Sequence, residues 1–106
     1  MFFELRQYRI LNNQMEAWVR LMHEDINPFQ VSKGMVVVGS FTAPEEPNLY
    51  VWIRRFDSEE DRVNLYKAVY ECPEWKDVIS PKISKLLDRE SIVVTRLEPT
   101  SKSVIR

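Results

Sequence analysis

The chain has 106 residues, with 15 Lys and Arg against 16 Asp and Glu for a formal charge of −1, and one cysteine. That length holds one domain with a two-layer core. The near-neutral balance argues against a nucleic-acid partner, Cys72 alone excludes an internal disulfide, and no apolar run reaches the length of a membrane span. M-F-F-E-L-R carries no basic leader followed by an apolar run, so the expected location is cytoplasmic.

Phe2–Leu11 alternates as a strand, with Phe3 and Leu5 on one side and Phe2, Glu4, Arg6, Tyr8 and Ile10 on the other. Asn12–Asn13 is a turn and N-cap signal. In Gln14–Ile26 the residues Met15, Trp18, Val19, Met22 and Ile26 recur at helical spacing, and Asn27–Pro28 interrupts them. Phe29–Lys33 reads as a short second helical piece stopped by Gly34. Met35–Ala43 is rich in β-branched residues and reads as a strand, with Gly39 marking a bulge or a close approach.

The polar stretch Ala43–Asn48 reads as a long hairpin loop leading into Asn48–Asp57. There Leu49, Val51 and Ile53 alternate with Tyr50, Trp52, Arg54 and Phe56. The aliphatic set calls for a helix layer, and the aromatic set for a second sheet or a cavity. Ser58 with Asp61, or Asp57 with Glu60, gives a capping-box start for a helix over Ser58–Glu71. Cys72–Pro73 ends it, Glu74–Val78 is a turn, Pro81–Leu87 a last helical piece, Asp88–Arg89 a turn, and Glu90–Glu98 the fourth strand. Residues 1–99 make the domain, and 100–106 a short polar tail that either hangs free or adds to a partner's edge.

The order β-α-β-β-α-β gives an α+β, ferredoxin-like sheet of four antiparallel strands, both helices on one face and strands one and three central. The expected uncovered face carries Glu4, Arg6, Tyr8, Tyr50, Trp52, Arg54 and Phe56. Facing sheets in a two-fold homodimer, or a higher assembly of dimers, would close it.

The ordered set F-E-L-R-Q-Y at Phe3–Tyr8, P-F-Q-V-S-K-G at Pro28–Gly34, V-W-I-R-R-F-D-S at Val51–Ser58 and P-E-W at Pro73–Trp75 resembles the NIPSNAP family from Phe3 to Pro99. The resemblance implies a dimeric α+β barrel. In the wider superfamily that barrel houses cofactor-independent oxygenases, haem-handling enzymes and decarboxylase- or isomerase-like proteins, so it does not fix an activity.

Arg54, between Trp52 and Phe56, needs a carboxylate or an anionic ligand, because a guanidinium keeps its charge when buried. Glu4 from the neighbouring strand is the protein candidate, with Arg6 beside it. Two arginines against one glutamate on this face favour an anion. Tyr8, Tyr50, Trp52 and Phe56 suit a planar organic ligand or plain core filling. His23, the one histidine, is either a boundary residue of the first helix or a general base at the barrel end. The candidate catalytic set is thus Arg54, Tyr8 and His23. The candidate pocket is Glu4, Arg6, Tyr50, Trp52 and Phe56. No cofactor or metal is expected. Two readings stand: a cofactor-independent monooxygenase- or isomerase-like enzyme acting on a small aromatic or enolisable compound, and a non-catalytic dimeric module binding a small molecule or a protein.

Overall fold

The computed structural model describes residues 1–106. Four strands, β1 (Phe2–Ile10), β2 (Val36–Ala43), β3 (Glu46–Phe56) and β4 (Leu87–Leu97), form one antiparallel sheet in the order β2-β3-β1-β4. Each half of the chain sends its helices over the same face of that sheet. The first half supplies α1 (Met15–Leu21), a π turn (Met22–Ile26) and α2 (Asn27–Ser32). The second supplies α3 (Glu59–Tyr70), a second π turn (Glu74–Ile79) and α4 (Ser80–Ser84). This is the ferredoxin-like α+β arrangement.

The local signals explain the ends. Ser58 Oγ accepts from the Asp61 amide at 3.0 Å, while Asp61 reaches back to the Asp57 amide at 2.9 Å, so α3 starts on a reciprocal cap. Gly34 has φ +105°, the left-handed stop after α2. Asn12 and Asn13 turn the chain at φ 54° and 55°, but the residue capping α1 is Gln14, and it makes no side-chain cap bond. Asn27–Pro28 does not interrupt the first helix. The chain widens to π geometry over Met22–Ile26, and Pro28 then stands in the first turn of α2. A proline contributes no N–H there, and the wider turn accommodates it. The second half repeats the device with the Glu74–Ile79 π turn and Pro81.

Two strand boundaries differ from the sequence reading. Pro44–Glu45 is the whole turn between β2 and β3, because Glu46 already pairs with Ala43. The prolines mislead there: Pro47 lies beyond the reach of β1, whose pairing with β3 begins at Leu49, so its missing donor costs no bond on that side. β4 begins at Leu87, and Asp88–Arg89 is no turn. Its pairing with β1 passes from Gln7–Val93 to Arg9–Asp88, so a bulge falls across Arg89–Ile92. Gly39 also lies at a register shift in β2, as its sequence signal suggests.

The main correction concerns the faces of the sheet. Tyr50, Trp52, Arg54 and Phe56 of β3 are buried, as are Glu4, Tyr8 and Ile10 of β1, and they pack under the chain's own helices. The aliphatic set Leu49, Val51 and Ile53 lies on the opposite face, half-exposed, with Phe41, Val93 and Leu97 exposed beside it. Alternation separates two faces but does not say which one a helix covers. The helices decide it by what they carry: Trp18, Tyr66, Tyr70 and Gln30 complement aromatics and a guanidinium. On the open face the tail does not hang free. Pro99, Ser103 and Ile105 fold back beside Phe3, Ile53 and Leu97, and the Ser103 amide closes a turn on the Thr100 carbonyl at 3.0 Å.

Candidate functional site

Strand pairing places Glu4 of β1 directly opposite Arg54 of β3. Arg54 Nη2 donates to Glu4 Oε1 at 3.0 Å and to the Tyr66 hydroxyl at 3.1 Å. Its Nη1 donates to Gln30 Oε1 at 2.9 Å and to the Tyr70 hydroxyl at 2.7 Å. The Tyr66 hydroxyl in turn donates to Glu4. The guanidinium lies 4.8 Å from the Trp52 ring centre and 5.3 Å from that of Tyr66. Burial alone would lower the Arg54 pKa. The surrounding tyrosines outweigh that and raise it, so the charge is permanent. Burial also pushes the Tyr66 hydroxyl up, against the pull of Arg54, and keeps it a donor. The expected Arg54–Glu4 pair is present, and the helix tyrosines that complete it come from one face of α3.

Beside this network, between sheet and helices, lies a partly open cavity of about 130 Å³. Arg6, Tyr8 and Trp52 line it from the sheet, Trp18 and Gln30 from the first helical half, and Tyr70 and Trp75 from the second. It is thus a space within one chain, where the sequence reading had expected one between sheet and partner. The reversal of faces accounts for the change. Trp75 packs edge-on against Tyr70 at 4.9 Å between ring centres and stacks on Phe29 at 6.2 Å. Tyr8 meets Trp18 edge-on at 5.8 Å.

The polar groups of the lining share one character. Arg6 Nε donates to the Tyr8 hydroxyl at 2.8 Å and its Nη1 to Tyr66 at 3.3 Å, leaving the other Nη without a protein partner. Because the Tyr8 oxygen accepts from Arg6, and the Tyr70 oxygen from Arg54 and Gln30, both hydroxyl hydrogens remain available to donate. The indole N–H groups of Trp18 and Trp52 are buried without a partner. Gln30 Oε1, the lining's side-chain carbonyl acceptor, is taken by Arg54. The Arg6 pKa is raised: the nearby tyrosines and the Tyr8 hydrogen bond outweigh the burial that would lower it. A cavity lined by donors and bordered by two arginines against one glutamate has the electrostatics of an anion site.

Of the candidate residues read from sequence, Arg6, Tyr8 and Trp52 line this cavity. Arg54 and Glu4 form the network behind its wall. Tyr50 and Phe56 are core, Tyr50 bonding Ser40 Oγ at 2.5 Å and Phe56 packing on Phe2 at 5.5 Å between ring centres. His23 is exposed on the first π turn and is not among the lining residues. Gln30, Tyr66, Tyr70 and Trp75 were not singled out as site residues from sequence. A signal was present for the tyrosines, whose i, i+4 spacing puts both hydroxyls on one stripe of α3. Gln30 had a weaker one as the lone polar group within P-F-Q-V. No group of three or more His, Cys, Asp or Glu side chains is arranged to hold a metal.

The NIPSNAP family model matches residues 3–102. Among solved structures, a protein from Agrobacterium tumefaciens, described as a NIPSNAP family protein with unknown function, is 27% identical with a TM-score of 0.89, covering 100% of this chain and 94% of its own. A second NIPSNAP family protein from the same organism is 25% identical with a TM-score of 0.87, covering 99% and 98%. At 9% identity and a TM-score of 0.67, a putative antibiotic biosynthesis monooxygenase from Nitrosomonas europaea shares the fold over 92% of this chain and 97% of its own. A dimeric ferredoxin-like protein from an uncultured marine organism, 16% identical with a TM-score of 0.67, does so over 100% of both. No curated protein matches the sequence.

Proposed function

The chain belongs to the NIPSNAP family, and from that premise we propose that it is a small-molecule-binding protein whose ligand is a ring-sized organic anion, an aromatic or enolisable carboxylate. The observation that carries this is the polar lining of the cavity, in which Arg6 and the Tyr8 and Tyr70 hydroxyls all have a hydrogen left to donate. Buried donors without acceptors are costly, and a carboxylate supplies acceptors to several at once. A volume of about 130 Å³ is close to that of engineered protein cavities that take up benzene, about 150 Å³.

A turnover reading uses the same site. Arg6 and the Tyr8 hydroxyl are suited to an enolate-type oxygen, as a cofactor-independent monooxygenase-like or isomerase-like reaction needs. No carboxylate or imidazole lines the cavity to remove a proton, so binding is the conclusion. We also assign the open aliphatic face to self-association, since exposed Phe41, Val93 and Leu97 beside half-exposed Val51 and Ile53 form a patch that a second sheet would cover.

The test is calorimetric titration with benzoate. The protein should bind it, and Arg6→Gln should weaken binding at least about tenfold, the scale of a lost charge-assisted hydrogen bond. Binding unchanged in Arg6→Gln, or absent from the unsubstituted protein, would sink the proposal.

A further inference from the structure

We propose that Arg89 is a second anion anchor at the mouth of this cavity, so that the preferred ligand is a planar dianion with one carboxylate on Arg6 and the other on Arg89. The inference rests on the anion-binding reading of the cavity and narrows its ligand class.

Arg89 is the exposed member of the lining, which puts it where the cavity meets solvent. It stands on the β4 bulge, where the ladder with β1 skips from Val93 to Asp88. A bulge re-aims the side chain it carries. Here Ser91 Oγ bonds both the Arg9 amide and the Asp88 carbonyl, and Asp88 Oδ1 accepts the Glu90 amide, so the bulge is held from within.

The guanidinium is fixed in place by uncharged oxygens. Its Nη2 donates to the Ser80 carbonyl at 3.1 Å, Ser80 Oγ at 3.0 Å and Ser84 Oγ at 3.1 Å. Every other arginine before the terminal Arg106 is paired with a carboxylate: Arg6 and Arg54 with Glu4, Arg9 with Glu46, Arg20 with Glu16, Arg55 with Asp57, and Arg62 and Arg96 with Glu59. Arg89 has none. Asp88, its chain neighbour, spends its carboxylate on the Glu90 amide. An oriented arginine with an uncompensated charge, lining a cavity that Arg6 also lines, matches a rigid ligand carrying two anionic groups.

The experiment compares benzoate with benzene-1,3-dicarboxylate and benzene-1,4-dicarboxylate on the unsubstituted protein and on Arg89→Gln. The expected result is that one dicarboxylate binds at least about tenfold more tightly than benzoate, and that in Arg89→Gln the ratio of the two affinities falls to about one. Absence of a margin in the unsubstituted protein, or its survival in Arg89→Gln, overturns the proposal while leaving benzoate binding intact. Failure of all three probes to bind overturns the cavity reading, and this inference with it. Arg89→Lys keeps the charge without the planar fork and should retain part of the margin.

Discussion

The two faces of the sheet are built on opposite plans. Under the helices, aromatic rings surround a fully buried arginine whose two Nη atoms together meet Glu4, Gln30, Tyr66 and Tyr70. On the other side Leu49, Val51, Ile53, Phe41, Val93 and Leu97 carry almost no polar group and remain partly in water. Hydrophobic burial is non-directional and leaves an aliphatic surface free to meet another surface of its kind. A buried guanidinium is directional and needs hydrogen-bond partners in place when it is desolvated, and here Glu4, Gln30, Tyr66 and Tyr70 of the same chain supply them. The polar face is therefore the one closed intramolecularly.

The contrast is broken most severely at Arg54. Arg54→Met leaves Glu4, buried to 5% exposure, without its closest cation, and should cost about 3–5 kcal/mol by urea denaturation. Adding Glu4→Gln should return part of that loss, because no uncompensated charge then remains. A single variant as stable as the parent would show that the network contributes nothing net. On the open face, Val51→Lys should change mass and not stability: light scattering should move from dimer to monomer at micromolar concentration, with benzoate binding retained. A monomeric parent would sink the assignment of that face.

The remaining two expectations concern pH. Burial pushes the Tyr50 hydroxyl up to about 12 from its ordinary value of 10. The folded state thus holds a proton that the unfolded chain loses first. The stability from this group is complete below pH 10 and lost as pH rises from 10 through 12, up to about 3 kcal/mol at roughly 1.4 kcal/mol per unit. Tyr50→Phe should flatten the stability profile in that window and leave neutral pH little changed. Smallest is Glu59, held down at about 2 by hydrogen bonds from Arg62 and Arg96 on an exposed surface. Its contribution is present above about pH 4.5 and fades as pH falls through 2. Arg96→Gln should soften the acid limb only slightly, most visibly at low salt.

The element order, the central positions of β1 and β3, the Ser58 cap and the Gly34 stop could all be read from the sequence, because each depends on periodicity or a local backbone need. The Arg54–Glu4 pair was also legible, since alternation and strand order put those residues on one face of neighbouring strands. The side on which the helices lie was not. An amphipathic helix shows that it covers something, and Trp18 or Tyr66 reads equally well as packing on either face. The short hairpin turn was hidden by Pro44 and Pro47, whose cost depends on whether a partner strand reaches them. Arg89 was hidden because a bulge is a mismatch between two strands and cannot be seen in one of them.

The arginine network also carries a timetable. Its members, Glu4, Gln30, Arg54, Tyr66 and Tyr70, come from both halves of the chain and stand up to 66 positions apart. Until both helical halves have docked, water solvates the guanidinium better than any partial set of partners can. The last water should leave Arg54 after the main folding barrier has been crossed. Substitutions in the network would then accelerate unfolding while leaving the folding arm of the chevron nearly unmoved, so this cluster governs how long the native state persists once formed.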